Sequence, residues 1–333
     1  MNSPAETILK LEKLDVAFHT RRGILQAVRG LDLDVGQGEI VGIVGESGSG
    51  KSVTLRAITR LLHAGARIGG RVLWRGEDLA ACSESELTRI RGRQIAMIFQ
   101  EPMTALNPVM TIGQQIDESL ALLGHFDRAG RRKRAVGLMG LVGIASAEQR
   151  LANYPHEFSG GMRQRAMIAI AIAAEPAILL ADEPTTALDV TIQDQILKLL
   201  TSLAADLGMA LVLVTHDLGV VAEACDNVCV MYGGRIVEKG PVAQLFSSPR
   251  HAYTHALLRT MPGEGRVRQP LSPIPGQPPR LEDVPTGCAF APRCSFVQDH
   301  CRSVAPPLAA VAPEQFAACW EAEQVGSSAR AAS

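Results

Sequence analysis

A chain of 333 residues, 47% hydrophobic and 20% charged, suits one large globular domain with an appendage. A net charge of -1 excludes a global basic field that would collect nucleic acid, so no nucleic-acid partner is expected. Seven cysteines are too few for a disulfide scaffold of this length. The best apolar run, Ala166 to Ala181, is broken by Glu175 and Pro176 and falls short of the roughly 20 residues a membrane span needs.

The first residues, MNSPAETILKLEKLD, lack a basic-then-apolar signal pattern, which places the chain in the cytoplasm. ILKLEKLDVAFHT and LQAVRGLDLDV alternate apolar and polar residues, as half-buried strands do. GEIVGIVG, Gly38 to Gly45, reads as a buried strand feeding a loop, and KSVTLRAITRLL after it has helical periodicity. RIGGRVLWRGEDL predicts a hairpin and QIAMIFQ another strand. From about Thr111 to Ala174 the pattern is mostly helical, and the basic run DRAGRRKR reads as a solvated loop or helix start. AILLAD (Ala177 to Asp182) and LVLVT (Leu211 to Thr215) are buried strands separated by the helical TIQDQILKLLTSLAADLG. Strands alternating with helices predict an α/β fold with a mostly parallel sheet. Cys82, Cys225 and Cys229 are scattered, the last two at helical spacing, and read as small core residues or surface bystanders.

Beyond about Met261 the texture changes. MPGEGRVRQPLSPIPGQPPRLEDVPTG is too rich in proline and glycine for a helix or central strand and reads as a tether. GCAFAPRCSFVQDHC follows, then Cys319, then QVGSSARAAS, which is expected to be disordered.

GESGSGKS, Gly45 to Ser52, matches the pattern G-x-x-x-x-G-K-[ST] between a predicted strand and a predicted helix. Gly45, Gly48 and Gly50 let the backbone curl around Ser49 so that N–H groups converge on phosphate oxygens. The helix beginning near Lys51 adds its positive end. Lys51 reaches the β- and γ-phosphates and the Ser52 hydroxyl ligates Mg²⁺. A second Mg²⁺ ligand is expected at a strand tip, and ILLADEP supplies Asp182, with Glu183 placed to polarise an attacking water.

In YPHEFSGGMRQRAMIAIAIA, Ser159, Gly160 and Gly161 open a strongly helical run, a second anion site at a helix N-terminus. Two phosphate-binding helix ends in one chain suggest nucleotide sandwiched between two copies. At this point the sequence resembles the ABC-type ATPases, whose signature is LSGGQ, over about residues 6 to 260. The resemblance implies that Gln100 in IFQEP is the Q-loop residue, which also reaches Mg²⁺. It makes Ala187 to Asp189 the D-loop, His216 the switch histidine, and Phe18 the aromatic stacked on adenine. The signature departs at Met162, where most such proteins have Gln, so ribose contacts across the dimer are expected to differ.

FSGGMRQR, QEPMTALNP and GIVGESGSGKS are similar to the oligopeptide/dipeptide (and nickel) importer branch. That likeness implies a P-loop NTPase core of ABC type at 1–260, with an antiparallel β subdomain and a helical subdomain at about 103–175. A proline- and cysteine-rich extension at 261–323 and a disordered tail at 324–333 complete the expected organisation. It further implies ATP and Mg²⁺ as cofactors and a second ATPase chain, identical or different, closing over ATP. Two transmembrane permease subunits would meet the segment after Gln100, and an extracytoplasmic solute-binding protein would act indirectly. The chain would then sit at the cytoplasmic face of the cell membrane and couple ATP hydrolysis to uptake of peptides or a related solute. The alternative is a non-transport ABC ATPase acting on nucleic acid or ribosomes, disfavoured by the short interval between P-loop and SGG.

Cys288, Cys294, Cys301 and Cys319 are separated by five, six and seventeen residues. Structural zinc sites favour closer pairs and ferredoxin spacings differ, so spacing alone leaves these cysteines open between metal ligands and unligated thiols. The peptide-importer branch carries a C-terminal region of the form IPG…P…GC.F.PRC, and some members hold an iron–sulfur cluster there. The resemblance therefore implies all four as candidate ligands of a 4Fe–4S cluster, with Pro292, Pro306, Pro307 and Pro313 stiffening the loops.

Overall fold

The computed structural model describes residues 6–331 apart from 21–22, 64, 125, 187 and 262–272. Ala187, the first part of the expected tether and the last two residues of the expected tail lie outside the described residues. In chain order the elements begin with strands β1 (Thr7–Thr20), β2 (Gly23–Gly36) and β3 (Ile40–Val44) and helix α1 (Lys51–Ile58). Strands β4 (Ala66–Trp74) and β5 (Glu77–Asp78), helix α2 (Glu84–Ile90) and strand β6 (Ile95–Ile98) follow. A helical stretch comprises α3 (Pro102–Ala105), α4 (Ile112–Ala121), α5 (Arg128–Leu141), α6 (Ala147–Arg150) and α7 (Gly160–Ile172). Next come β7 (Ile178–Asp182), α8 (Val190–Leu207), β8 (Ala210–Thr215), α9 (Leu218–Ala224), β9 (Asn227–Tyr232) and β10 (Arg235–Pro241). The chain continues through α10 (Val242–Ser247), α11 (Ala252–Leu258), α12 (Asp299–Ser303), β11 (Ala309–Ala312), β12 (Gln315–Ala317) and α13 (Ala322–Ala331). These form an α/β fold in two compact units, one of Met1–Ile8, Val35–Ile40 and Ala81–Val214, the other of Leu9–Asp34, Val41–Ala80 and Thr215–Ser333.

The first unit is built on parallel strands in the order β8-β7-β6, with Ile178 opposite both Ile95 and Ala210. All five residues of ILLAD are buried, the pattern of a strand covered on both faces. The helical stretch is organised by caps. Thr111 and Gln114 form a capping box on α4, and Asp127 accepts the Gly130 N–H at 2.7 Å to start α5. The basic run thus opens a helix, and its Arg131 pairs with Asp117 across to α4. Helix α7 buries Ala166, Met167, Ile168, Ala169 and Ile172, so it sits inside the helical layer against α3, α4 and α5.

In the second unit, four strands run in the order β2-β1-β4-β5. The alternation of β1 changes parity, burying Leu9 and Leu11 and then Leu14 and Val16. A bulge between Glu12 and Asp15 inserts the extra residue, with Lys13 at φ 47. Facing it, a Cβ on Gly70 would stand 2.2 Å from the Lys13 carbonyl oxygen, so only glycine fits.

A further set of strands in this unit runs β11-β12-β10-β9-β3, the β9–β3 pair being parallel. Its core is aromatic: the Tyr232 and Tyr253 rings lie 4.6 Å apart and Phe290 is 5.3 Å from each. Residues after 261 join this core through Phe290 and Val325. The tail expected to be disordered from residue 324 is corrected here, because α13 extends to Ala331. Its Val325 is fully buried against α11 and the aromatic cluster, a gain that the polar local sequence does not reveal. Cys225 and Cys229, at helical spacing in the sequence, fall instead on the C-cap of α9 and in strand β9. Cys229 is buried, and burial pushes the Cys225 thiol up to about 12, as for core residues.

One buried carboxylate ties this unit together. Glu238 on β10 accepts the Arg250 N–H (2.7 Å) and the Gln315 side-chain amide (2.8 Å) on Oε1, and the His251 N–H (2.9 Å) on Oε2. Burial pushes its carboxyl above the usual range, while these donors pull the other way. Burial also holds His251 neutral, pushed down to about 3, so its Nδ1 can accept the Tyr253 N–H and cap α11. Glu238→Gln turns one acceptor oxygen into a donor facing an N–H. The substitution is expected to cost about 1–3 kcal/mol, read as a lower midpoint in urea or thermal unfolding of the full chain.

Candidate functional site

The sequence-expected residues divide between the two units. In the second unit β3 runs into the glycine-rich turn and α1 begins at Lys51. The turn is tightly backed. A Cβ on Gly45 (φ 154) would lie 2.2 Å from the Met231 carbonyl oxygen, and one on Gly50 (φ 103) 2.6 Å from that of Ala27. Lys51 is 4% exposed, and its Nζ donates to the carbonyls of Gly45 (2.8 Å) and Glu46 (3.1 Å). The Ser49 hydroxyl, also buried, has no hydrogen-bond partner among the described residues. A cavity of about 460 Å³ opens beside this turn, with Glu46, Ser47, Gly48 and Ser49 on one wall and Pro278 to Glu282 on another. Phe18 does not line it; the ring sits half-buried on β1 opposite Ala66. His216 follows β8 and is exposed, while its neighbour Asp217 caps α9 by accepting the Gly219 N–H at 2.8 Å.

The first unit holds the acidic residues. Asp182 ends β7 fully buried. Glu183 follows in the left-handed region at φ 45, anchored by its N–H to the Val214 carbonyl (3.0 Å). The Gln100 amide donates to Glu183 Oε2 at 3.1 Å and the Thr186 hydroxyl to the same oxygen at 2.9 Å. Thr186 is absent from the sequence expectations, although its spacing of three from Glu183 could have marked it. Ser159 is the exposed N-cap of α7 and accepts the Met162 N–H at 3.4 Å, which places Gly160 and Gly161 in the first turn. Asp189 accepts the Ile192 N–H at 3.0 Å and caps α8.

All four C-terminal cysteines lie in the second unit. Burial pushes the Cys294 thiol up to about 11 and that of Cys319 to about 12. Cys288 is raised for the same reason. Neighbouring thiols add to each rise: Cys301 to that of Cys288, Cys288 and Cys301 to that of Cys294, and Cys288 and Cys294 to that of Cys319. The Phe296 backbone N–H donates to Cys294 Sγ at 3.3 Å, and backbone groups of Phe290 and Ala291 near Cys288, and of Glu321 and Ala252 near Cys319, oppose the rise of those two thiols. Among the described residues, however, the group of metal-type ligands within 4.8 Å of one another is His300, Cys301 and Glu321. His300 and Glu321 were not singled out in the sequence. Arg293, between Cys288 and Cys294, pairs instead with Glu46 of the glycine-rich turn, a contact over 247 residues that no spacing could reveal.

The chain matches the family model described as ABC transporter over residues 28–186. Residues 237–301 match the oligopeptide/dipeptide transporter C-terminal region. It is 48% identical to a probable peptide ABC transporter ATP-binding protein of Sinorhizobium fredii, over 97% of this chain and 98% of the relative. It is 47% identical to the oligopeptide transport ATP-binding protein OppD of Bacillus subtilis, over 94% of this chain and 88% of that one. Among solved structures, it resembles a dimeric ATP-binding cassette in a post-hydrolysis state bound to ADP and Pi. That match has a TM-score of 0.64 at 30% identity, covering 70% of this chain and 98% of the other.

Lys51→Ala removes the buried ammonium from the turn. ATP affinity is expected to fall about 10- to 100-fold, the worth of a charged hydrogen bond. A titration showing unchanged affinity would remove the phosphate-binding role from this turn.

Proposed function

The chain belongs to the ATP-binding subunits of the oligopeptide/dipeptide ABC transporters, and on that premise we propose how its residues share the work of ATP-driven import. It is an ATPase that works with a membrane permease, and no helix among the described residues is long and apolar enough to cross a membrane. Lys51 and the N–H groups of Gly48, Ser49 and Gly50 take the phosphates. The carbonyl contacts of Lys51 hold its ammonium ready, and phosphate oxygens of higher charge displace them. Ser52, Asp182 and Gln100 offer a hydroxyl, a carboxylate and an amide oxygen, a donor set suited to Mg²⁺, which neutralises phosphate charge when bound.

The observation that carries the hydrolytic reading is the carboxylate of Glu183. Its side chain is aimed by Gln100 and Thr186 and its backbone is held in a strained conformation beyond the strand tip. A general base must be positioned before its basicity matters, and two donors on one oxygen position it. His216 supports the same step. In the closed state Ser159, Gly160, Gly161 and Asp189 of a second ATPase chain cover the γ-phosphate. Exposure of Ser159 and Gly160, with Gly161 half-buried behind them, suits that surface. The segment after Gln100 exposes Met103 (53%) and Val109 (79%), apolar side chains that fit the permease contact. Gln100 therefore links the base to the transmission surface. The chain acts at the cytoplasmic face of the membrane, while a solute-binding protein on the far side selects the peptide.

The four cysteines, Cys301 buried and the other three half-buried, offer the thiol donor set that a [4Fe–4S] cluster takes, and such a group would keep them as thiolates. When bound, such a cluster clamps the C-terminal region. Nothing in the geometry gives it a redox step.

Glu183→Gln is expected to bind ATP normally and lose turnover by a factor of about 100 or more, trapping an ATP-stabilised dimer. Normal turnover in this variant would overturn the base assignment. Anaerobic purification should give a brown protein with iron and acid-labile sulfide, both lost in Cys294→Ser. Stoichiometric zinc that persists in Cys294→Ser would instead assign the metal to His300, Cys301 and Glu321, and a metal-free protein would refute both.

A further inference from the structure

Arg293 belongs by sequence to the cysteine segment, yet its side chain runs to the P-loop. It is 6% exposed, with Nη1 donating to Glu46 Oε2 at 2.7 Å and Nη2 to Glu46 Oε1 at 3.0 Å. Nη1 also donates to the Tyr232 hydroxyl at 3.1 Å, and Nε to the Pro275 carbonyl at 2.9 Å. The guanidinium stands 5.9 Å from the Tyr232 ring centre and 5.8 Å from that of Phe290. This paired fork is a geometry that Lys cannot reproduce.

Glu46 is gripped at every polar group it has. Its carboxylate meets Arg293, its N–H donates to the Tyr253 hydroxyl at 2.9 Å, and its carbonyl accepts from Lys51 at 3.1 Å. Packing fixes the turn at Gly45 and Gly50, and the grip on Glu46 adds an anchor between them, which lowers the entropy the nucleotide must remove on binding. The cavity wall at Pro278 to Glu282 is anchored in the same region, where Arg29 Nη2 donates to the Leu281 carbonyl at 3.2 Å.

We propose that Arg293 is a positioning residue of the nucleotide site: it latches the C-terminal cysteine module to Glu46 and so holds the P-loop in its binding shape. This inference rests on the reading of Gly45 to Ser52 as the phosphate site. Since coupling is reciprocal, nucleotide and an ordered C-terminal module favour each other. The arginine of the PRC sequence thereby has a task distinct from that of the cysteine beside it.

The test uses the purified full-length chain and four variants, Arg293→Gln, Arg293→Lys, Glu46→Gln and the double variant Arg293→Gln/Glu46→Gln. ATP titration, steady-state ATPase kinetics and thermal midpoints are measured on each. Arg293→Gln and Glu46→Gln are each expected to raise KM for ATP about five- to tenfold, within the usual range of coupling, while kcat moves less than twofold. The double variant is expected to be no worse than either single one, because all three remove one interaction. Arg293→Lys is expected to recover part of the loss.

Lowered thermal midpoints with an unchanged KM would make Arg293 a strut and overturn the latch, as would strictly additive effects in the double variant. If Arg293→Gln fails to fold, Arg293→Lys and Glu46→Gln decide by the same measurements. Lys51→Ala separates the premises, since normal ATP affinity there would sink the phosphate-site reading itself. A Lys51-sensitive protein indifferent to Arg293 would sink only the latch.

Discussion

The curled backbone between Gly45 and Ser52 is the constraint on which the proposed nucleotide site depends. N–H groups bind phosphate only if several point the same way, and a free peptide of this composition would not hold that shape. Here the turn is pressed against the carbonyls of Met231 and Ala27, leaving no room for a Cβ on Gly45 or Gly50. The Lys51 ammonium bridges two loop carbonyls from inside the curl. Glycine thus supplies conformational permission, and the packing around it selects the conformation.

The same division recurs at Glu183, the proposed general base. β7 is buried throughout, so its end is a rigid platform, and Glu183 is the first residue beyond it. The positive φ there stores strain that the flanking contacts must hold in place. Gln100 and Thr186 approach one carboxylate oxygen from separate parts of the chain. Gln100 bonds Glu183 and lies three residues before the exposed Met103, a placement that suits a coupled machine.

The C-terminal region is more integrated than its proline-rich entry suggests. β12 pairs with β10, Phe290 enters the tyrosine cluster, and α13 buries Val325. Glu238 and Arg293 are the polar links, each a buried charged group with several partners. Such groups are costly to bury alone and therefore specify which segments must meet. The thiols gathered beside them are rendered basic by burial, so a metal centre there would be bound by folding and deprotonation together.

Much of the fold was legible because its signals are local. Alternation in β1, the apolar run of β7, the spacing of GESGSGKS and the helix opened by Ser159 each arise from neighbouring residues and a fixed period. Where local polarity was the guide, it misled, as in the tail that becomes α13, because its few apolar residues count only once a core exists to receive them. The sequence by itself determined the chemical inventory: a glycine-rich turn with Lys51 and Ser52, adjacent carboxylates after an apolar run, a second glycine pair opening a helix, and four C-terminal thiols. Tertiary structure alone decided that Thr186 and Gln100 aim Glu183, that His300 and Glu321 join Cys301, and that Arg293 reaches Glu46. Gln100 to Glu183, Glu321 to Cys301 and Arg293 to Glu46 join distant segments, and no periodicity encodes a meeting that depends on how separate strands and helices bury their surfaces.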